Sequence, residues 1–146
     1  MVYRSFSSEE TKKFAESLAR RLAAKKTAKH PLVIGLFGPL GSGKTTFVQG
    51  FFRGLGLRTR VMSPTFILFR RSALRDTRYR NVYHVDAYRL KNPRELLRLG
   101  FKEILSNPEN IVLIEWADKI KKILPKRSLW LQLSHGRHEK ERTIRI

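Results

Sequence analysis

Cysteine is absent from the 146 residues, which excludes disulfides and thiolate metal sites. No apolar run approaches the roughly 20 residues needed to cross a bilayer. The opening Met1-Val2-Tyr3-Arg4-Ser5-Phe6 lacks the apolar core of a signal peptide. A cytoplasmic location with no membrane association is therefore the expectation. Acidic residues are scarce, 12 Asp and Glu against 31 Lys and Arg, for a net charge of +19. None lies between Glu16 and Asp76, an interval that holds Arg20, Arg21, Lys25, Lys26, Arg53, Arg70, Arg71 and Arg75 among others. Such an excess predicts salt-sensitive attraction to a polyanion. Charge alone does not separate RNA, DNA and an acidic protein, and a general bias toward basic residues is the alternative. With 41% hydrophobic and 10% aromatic residues, the chain is globular rather than disordered and long enough for one core.

What the chain does contain is the run Gly38-Pro39-Leu40-Gly41-Ser42-Gly43-Lys44-Thr45-Thr46, directly after the apolar stretch Leu32 to Phe37. This is G-x-x-x-x-G-K-[ST] with a strand before it and an amphipathic helix after it, the setting in which the pattern binds phosphate. The glycines let the backbone curl so that several N–H groups face phosphate oxygens, and the helix N-terminus adds partial positive charge. Lys44 reaches the β- and γ-phosphates, and the Thr45 hydroxyl holds Mg²⁺. The residues predict a chain that binds a nucleoside triphosphate. No Asn/Thr-Lys-x-Asp guanine-reading sequence occurs, which disfavours a GTPase.

Ser7-Ser8-Glu9-Glu10 offers a capping box for a helix reaching about Lys26, with Phe14, Leu18 and Leu22 on one face. The helix after the glycine loop runs to about Gly54. Val61 to Phe69 reads as a strand interrupted by Ser63-Pro64, Arg70 to Arg80 as a charged connection, and Asn81 to Asp86 as its antiparallel partner. One helix from Asn92-Pro93 carries Leu96, Leu97, Leu99 and Phe101. Ile111 to Ile114 is a short central strand, Lys119 to Leu124 a short helix, and Leu129 to Leu133 and Thr143 to Ile146 are closing strands. This order predicts an α/β fold like that of phosphate-loop NTPases. It has a mixed, largely parallel central sheet with flanking helices and antiparallel edge strands, in a single domain over residues 1–146.

A phosphate loop needs a carboxylate to position magnesium, usually at the end of a neighbouring apolar strand. Ile111-Val112-Leu113-Ile114-Glu115 has that form, and Glu115 is favoured for the metal over an ordinary strand-end acid. Asp86 ends the strand before Tyr88 and Arg89; it orients water or joins the metal's outer shell, or else it pairs with Arg89 or caps a turn. Thr65, in Ser63-Pro64-Thr65-Phe66, either senses the γ-phosphate or belongs to a proline bulge at a sheet edge. Trp116 shields the metal site, stacks on a base, or is a core aromatic. His135 and His138 lack acidic companions at ligand spacing and read as part of a solvated turn.

Together these segments resemble one family. Ser-x-Glu-Glu-Thr, Gly-Lys-Thr-Thr-Phe, Val-x-Ser-Pro-Thr-Phe, His-x-Asp-x-Tyr-Arg-Leu, Leu-Gly-Phe and Ile-Glu-Trp occur in the order seen in TsaE (formerly YjeE), from Ser7 to about Arg137. That family consists of small bacterial ATPases required for the threonylcarbamoyladenosine modification of tRNA. The resemblance implies that Gly38 and Gly41 to Thr46, including Ser42, Gly43 and Lys44, hold the phosphates of ATP, with Thr45 and Glu115 as Mg²⁺ ligands. It implies switch-like and catalytic positions for Thr65 and Asp86, a place beside the nucleotide for Trp116, and one near the nucleoside end for Thr11. It also implies two partner proteins, TsaB and TsaD, with ATP hydrolysis supporting repeated turnover rather than the transfer itself. Two departures stand out. The family's Glu-Trp-Pro reads Glu115-Trp116-Ala117 here, and the basic excess is unusually large, which raises direct tRNA contact as an expectation. The competing readings are a small-molecule phosphate-loop kinase, with Arg70 to Arg80 as a lid, and a nucleotide-regulated RNA-binding adapter.

Overall fold

The computed structural model describes residues 1–25, 29–58, 68–75 and 77–146. In chain order the elements are β1 (Val2–Ser5), α1 (Ser8–Ala24), β2 (Leu32–Phe37), α2 (Lys44–Gly54), β3 (Phe69–Ala73), β4 (Asn81–Asp86), α3 (Arg94–Arg98), α4 (Phe101–Ile104), β5 (Asn110–Glu115), a 3₁₀ helix (Ala117–Ile123), β6 (Leu129–His135) and β7 (Arg142–Arg145). Seven strands form one sheet in the order β1-β7-β6-β2-β5-β4-β3. The inner pairs β6–β2, β2–β5 and β5–β4 are parallel, while β1–β7, β7–β6 and β4–β3 are antiparallel. The mixed sheet with a parallel centre and antiparallel edges is therefore the architecture expected from the sequence.

Alternation along the strands divides the core into two layers. Ile34, Leu36, Val82, Ile111 and Leu113 face α1 and α2, whereas Val33, Val85, Val112 and Ile114 face Leu96, Phe101 and Ile120 on the opposite side. All six residues of β5 are buried, as a strand covered on both faces requires. Ser7 caps α1 through the Glu10 amide, and the Glu10 carboxylate reaches back to the Phe6 amide. Close packing of α1 on α2 depends on small residues. A Cβ at Gly50 would lie 2.3 Å from the Lys12 carbonyl oxygen, and one at Gly54 would lie 2.4 Å from that of Glu16. Arg53 on α2 adds ion pairs to Glu9 and Glu16 of α1 at 3.0 and 2.8 Å. These contacts fix where α2 begins, and so where the glycine loop must end.

Three expectations change. Residues 70–80 are not only a connection, because Phe69–Ala73 forms β3, paired to β4 from Phe69 opposite Val85 to Ala73 opposite Asn81. The free edge of β4 supplies hydrogen bonds that outweigh the polar composition, and exposed arginines suit an edge strand. The expected strand Val61 to Phe69 falls, except for its last two residues, outside the described residues. The single helix after Pro93 is two, because Gly100 takes φ +83° and ends α3. Leu96 and Phe101 are buried by this turn, while Leu97 and Leu99 face solvent. The strand Val2–Ser5 is an addition; it is four residues long and half polar, and its pairing with β7 defines it.

Candidate functional site

The parallel strands β2, β5 and β4 end together, and the register sets Leu36 beside Glu115 and Glu115 beside Asp86. Because residues two apart share a face, His84, Asp86 and Glu115 all project toward the α1/α2 side, where the glycine loop enters α2. The loop takes its shape from three glycines with positive φ, Gly38 (+146°), Gly41 (+75°) and Gly43 (+99°). Gly38 has a second reason to lack a side chain, since a Cβ there would stand 2.0 Å from the Leu133 carbonyl oxygen on β6. From the outside, Arg142 Nε donates to Gly41 O at 3.2 Å, and the His135 ring lies 3.1 Å from Leu40 O. His135 is the last residue of β6 and is exposed, as His138 is, and its ring reaches the loop from the solvent side.

Lys44 opens α2 and is buried. Its Nζ donates to Gly38 O at 2.7 Å and Pro39 O at 2.9 Å, and lies 4.0 Å from the centre of the Trp116 ring. Burial lowers the Lys44 pKa from its ordinary value, opposed by the charges of Glu115, Asp118 and Asp86. A cation held this way is poised to exchange backbone carbonyls for phosphate oxygens, which pair with an ammonium more strongly.

One residue later, Thr45 Oγ1 donates to Glu115 Oε1 at 2.9 Å. Glu115 Oε2 is held at 2.6 Å by His84 Nε2, and both side chains are almost fully buried. His84 in turn packs edge-on against Phe52 of α2. Among the described residues no group of three or more His, Cys, Asp or Glu is gathered as a metal cage. The donor set fits Mg²⁺ nonetheless. Mg²⁺ prefers hard oxygen ligands, keeps several waters, and takes one or two protein ligands beside substrate phosphates. Adjacent ligands of an octahedral Mg²⁺ at about 2.1 Å lie about 3.0 Å apart, close to the 2.9 Å between Thr45 Oγ1 and Glu115 Oε1.

Asp86 Oδ1 accepts from the Tyr88 amide at 3.0 Å, so it caps a turn while facing the same cavity. Trp116 is the one non-glycine residue with positive φ (+58°) among the described residues, a conformation that costs about 1–2 kcal/mol. Strain at such a point persists only where surrounding contacts over-determine it. Here the ring sits between Lys44 and Tyr88, whose ring centre is 4.8 Å away, and Lys119 Nζ donates to Tyr88 O at 2.6 Å.

A cavity of about 420 Å³ collects most of the expected site residues: Gly41, Gly43, Lys44, Thr45, Thr46, Asp86, Glu115 and Trp116. Gly38 and Ser42 lie behind it, with Ser42 fully buried and its hydroxyl 3.4 Å from Lys44 Nζ. Thr11 does not line this cavity; it is buried in α1 with its hydroxyl 2.6 Å from that of Ser5. Thr65 lies outside the described residues. His84 appears in the sequence only as part of the His-x-Asp element, with no role assigned to it, although a histidine flanked by Tyr83 and Val85 must find a polar partner if buried.

Comparison with known proteins finds relatives along nearly the whole chain. The family model described as "Threonylcarbamoyl adenosine biosynthesis protein TsaE" matches residues 5–144. A tRNA threonylcarbamoyladenosine biosynthesis protein TsaE from Rickettsia typhi is 40% identical over 119 residues, covering 81% of this chain and 75% of the relative. The Bacillus subtilis protein of the same name is 35% identical over 145 residues, covering 99% and 84%. The crystal structure of Bacillus subtilis YdiB superposes with a TM-score of 0.69 at 30% identity, covering 99% of this chain and 82% of that one.

Proposed function

Because this chain belongs to the TsaE family, we propose that it is a Mg²⁺-dependent ATPase of the tRNA threonylcarbamoyladenosine machinery, working with TsaB and TsaD. The observation that carries this reading is the meeting of Thr45 Oγ1 and Glu115 Oε1, 2.9 Å apart at the mouth of a glycine loop. Bound there, Mg²⁺ would neutralise charge on the β- and γ-phosphates. The chain's own groups do the rest. Backbone amides of Gly41 to Thr46 cradle phosphate, and Lys44 leaves Gly38 O and Pro39 O to meet the terminal phosphates. His84 fixes the rotamer of Glu115, so that Oε1 faces Thr45 while Oε2 stays turned inward. Asp86, adjacent to Glu115 in register, orients the attacking water. Trp116 and Tyr88 wall the site and reduce access of bulk water.

The test is reconstitution of the purified chain with TsaB, TsaD, tRNA, ATP and Mg²⁺, measuring modified nucleoside against ATP consumed. Wild-type protein should sustain many rounds. Glu115→Gln, which keeps volume but removes the charge, should lose the Mg²⁺ dependence of ATP binding and stall turnover. Unchanged magnesium dependence in Glu115→Gln would remove the metal role from this residue.

A further inference from the structure

A second hollow, an open surface depression of about 600 Å³, lies between β3 and β4 and is lined by Arg71, Arg75, Arg78 and Arg80 with Thr77 and Asn81 among others. All four arginines are exposed, while the apolar residues that share the lining, Leu74 and Tyr79, are buried and form its floor rather than projecting from it. Segment 70–80 holds five arginines against the single acid Asp76. The turn is anchored: the Leu74 amide donates to Arg80 O at 2.8 Å, the Tyr79 amide to Thr77 Oγ1 at 3.1 Å, and the Arg80 amide to Glu109 O at 2.9 Å. Arg71 Nε donates to Asn81 Oδ1, and Arg80 Nε lies 3.4 Å from a Glu109 carboxylate oxygen, so these contacts engage one of the three guanidinium nitrogens of each of these two lining arginines.

We propose that this hollow binds the phosphodiester backbone of RNA, with Arg71, Arg75, Arg78 and Arg80 as phosphate contacts. The choice of RNA over protein follows from what the surface lacks. A protein interface is anchored by aromatic or aliphatic side chains entering pockets, whereas here the apolar residues are consumed in holding the turn. Guanidinium forks on a fixed backbone match phosphate oxygens two at a time. The hollow is also remote from the nucleotide cavity. Asp86 and Asn81 are the two ends of β4, and a six-residue strand separates them by about 17 Å. RNA bound here leaves the glycine loop open. The proposal rests on reading the chain as part of a tRNA-modifying machinery, and it assigns the RNA-facing side.

The experiment measures binding of the full chain to unmodified tRNA across salt concentrations, with ATP hydrolysis recorded on the same samples. Arg75→Ser with Arg78→Ser should reduce the slope of log affinity against log salt by about 1.5–2 and weaken binding about tenfold or more at low salt. Arg75→Lys with Arg78→Lys should retain most of the slope, which separates charge from folding. Arg20→Ser with Arg21→Ser removes equal charge from α1 and should change the slope less. Equal loss in the α1 variant, or no loss in the hairpin variant, overturns the proposal. So does a polyglutamate chain that binds with the same affinity and the same loss, since the partner is then an acidic protein segment. Failure of the ATPase reading would appear separately, as a wild-type chain that binds tRNA normally but neither hydrolyses ATP nor supports modification.

Discussion

Replacing His84 with Ala tests how much the site depends on a residue with no contact to the proposed substrate. The imidazole is the partner of Glu115 Oε2 at 2.6 Å, and the two side chains are only 3% and 4% exposed. Water has little access to the stranded oxygen, so its lost hydrogen bond costs about 1–3 kcal/mol, more for a carboxylate. Loss of the ring's packing on Phe52 adds to this, giving about 3 kcal/mol in total. For a chain of this size that lowers the melting temperature by about 10 °C. Urea unfolding without nucleotide and with chelator isolates the effect from ligand stabilisation. The informative quantity is the coupling in a double-mutant cycle with Glu115→Gln, expected at about 1–3 kcal/mol. His84→Gln, whose amide can donate to the same oxygen, should recover part of the loss. The reasoning fails if the two substitutions add to within about 0.5 kcal/mol, since the hydrogen bond would then contribute nothing and Glu115 would need no support.

Asp86→Asn should leave ATP binding near wild type while lowering hydrolysis by roughly 10²-fold or more; equal loss of binding and turnover would make the residue a ligand or a structural cap instead. Lys44→Met should abolish binding of ATP yet not destabilise the free protein, because burial makes the ammonium costly at neutral pH. The unfolded chain holds that proton more tightly, so wild-type stability should rise as pH climbs through the lowered pKa toward 10.5, and this rise should be missing in Lys44→Met. The same dependence of the urea midpoint on pH in the two proteins, followed from neutral pH up to 10.5, would refute the assignment.

Much of this was legible in the sequence because the decisive signals are local. The glycine spacing, the apolar strand before it and the acid after Ile114 each need only a few neighbouring residues to be read. The contact between Thr45 and Glu115 spans 70 residues, yet both members announce themselves by their place at an element boundary. His84 does not. Its role depends on β4 lying parallel to β5 in a register that puts Asp86 beside Glu115, and nothing within the strand reports its neighbour. The same holds for Phe69–Ala73, whose arginines suggest a loop until pairing with β4 is known. The break at Gly100 is hidden for a different reason: apolar residues on both sides, Leu96, Leu97, Leu99 and Phe101, read as one helix, while the glycine's positive φ divides it.

The clearance at Gly38 has a consequence for how the molecule is made. The loop lies in the first third of the chain, but the carbonyl that excludes a side chain there belongs to Leu133. Its other braces, His135 on Leu40 and Arg142 on Gly41, come from 95 and 101 residues downstream. During synthesis the glycine-lysine-threonine run therefore leaves the ribosome long before the strands that shape it. Until β6 and β7 have emerged and docked, a nascent chain carries the letters of the nucleotide site without its form. Such distant pairing is slow to assemble, so nucleotide affinity should appear late, as the last step of folding rather than an early scaffold for it.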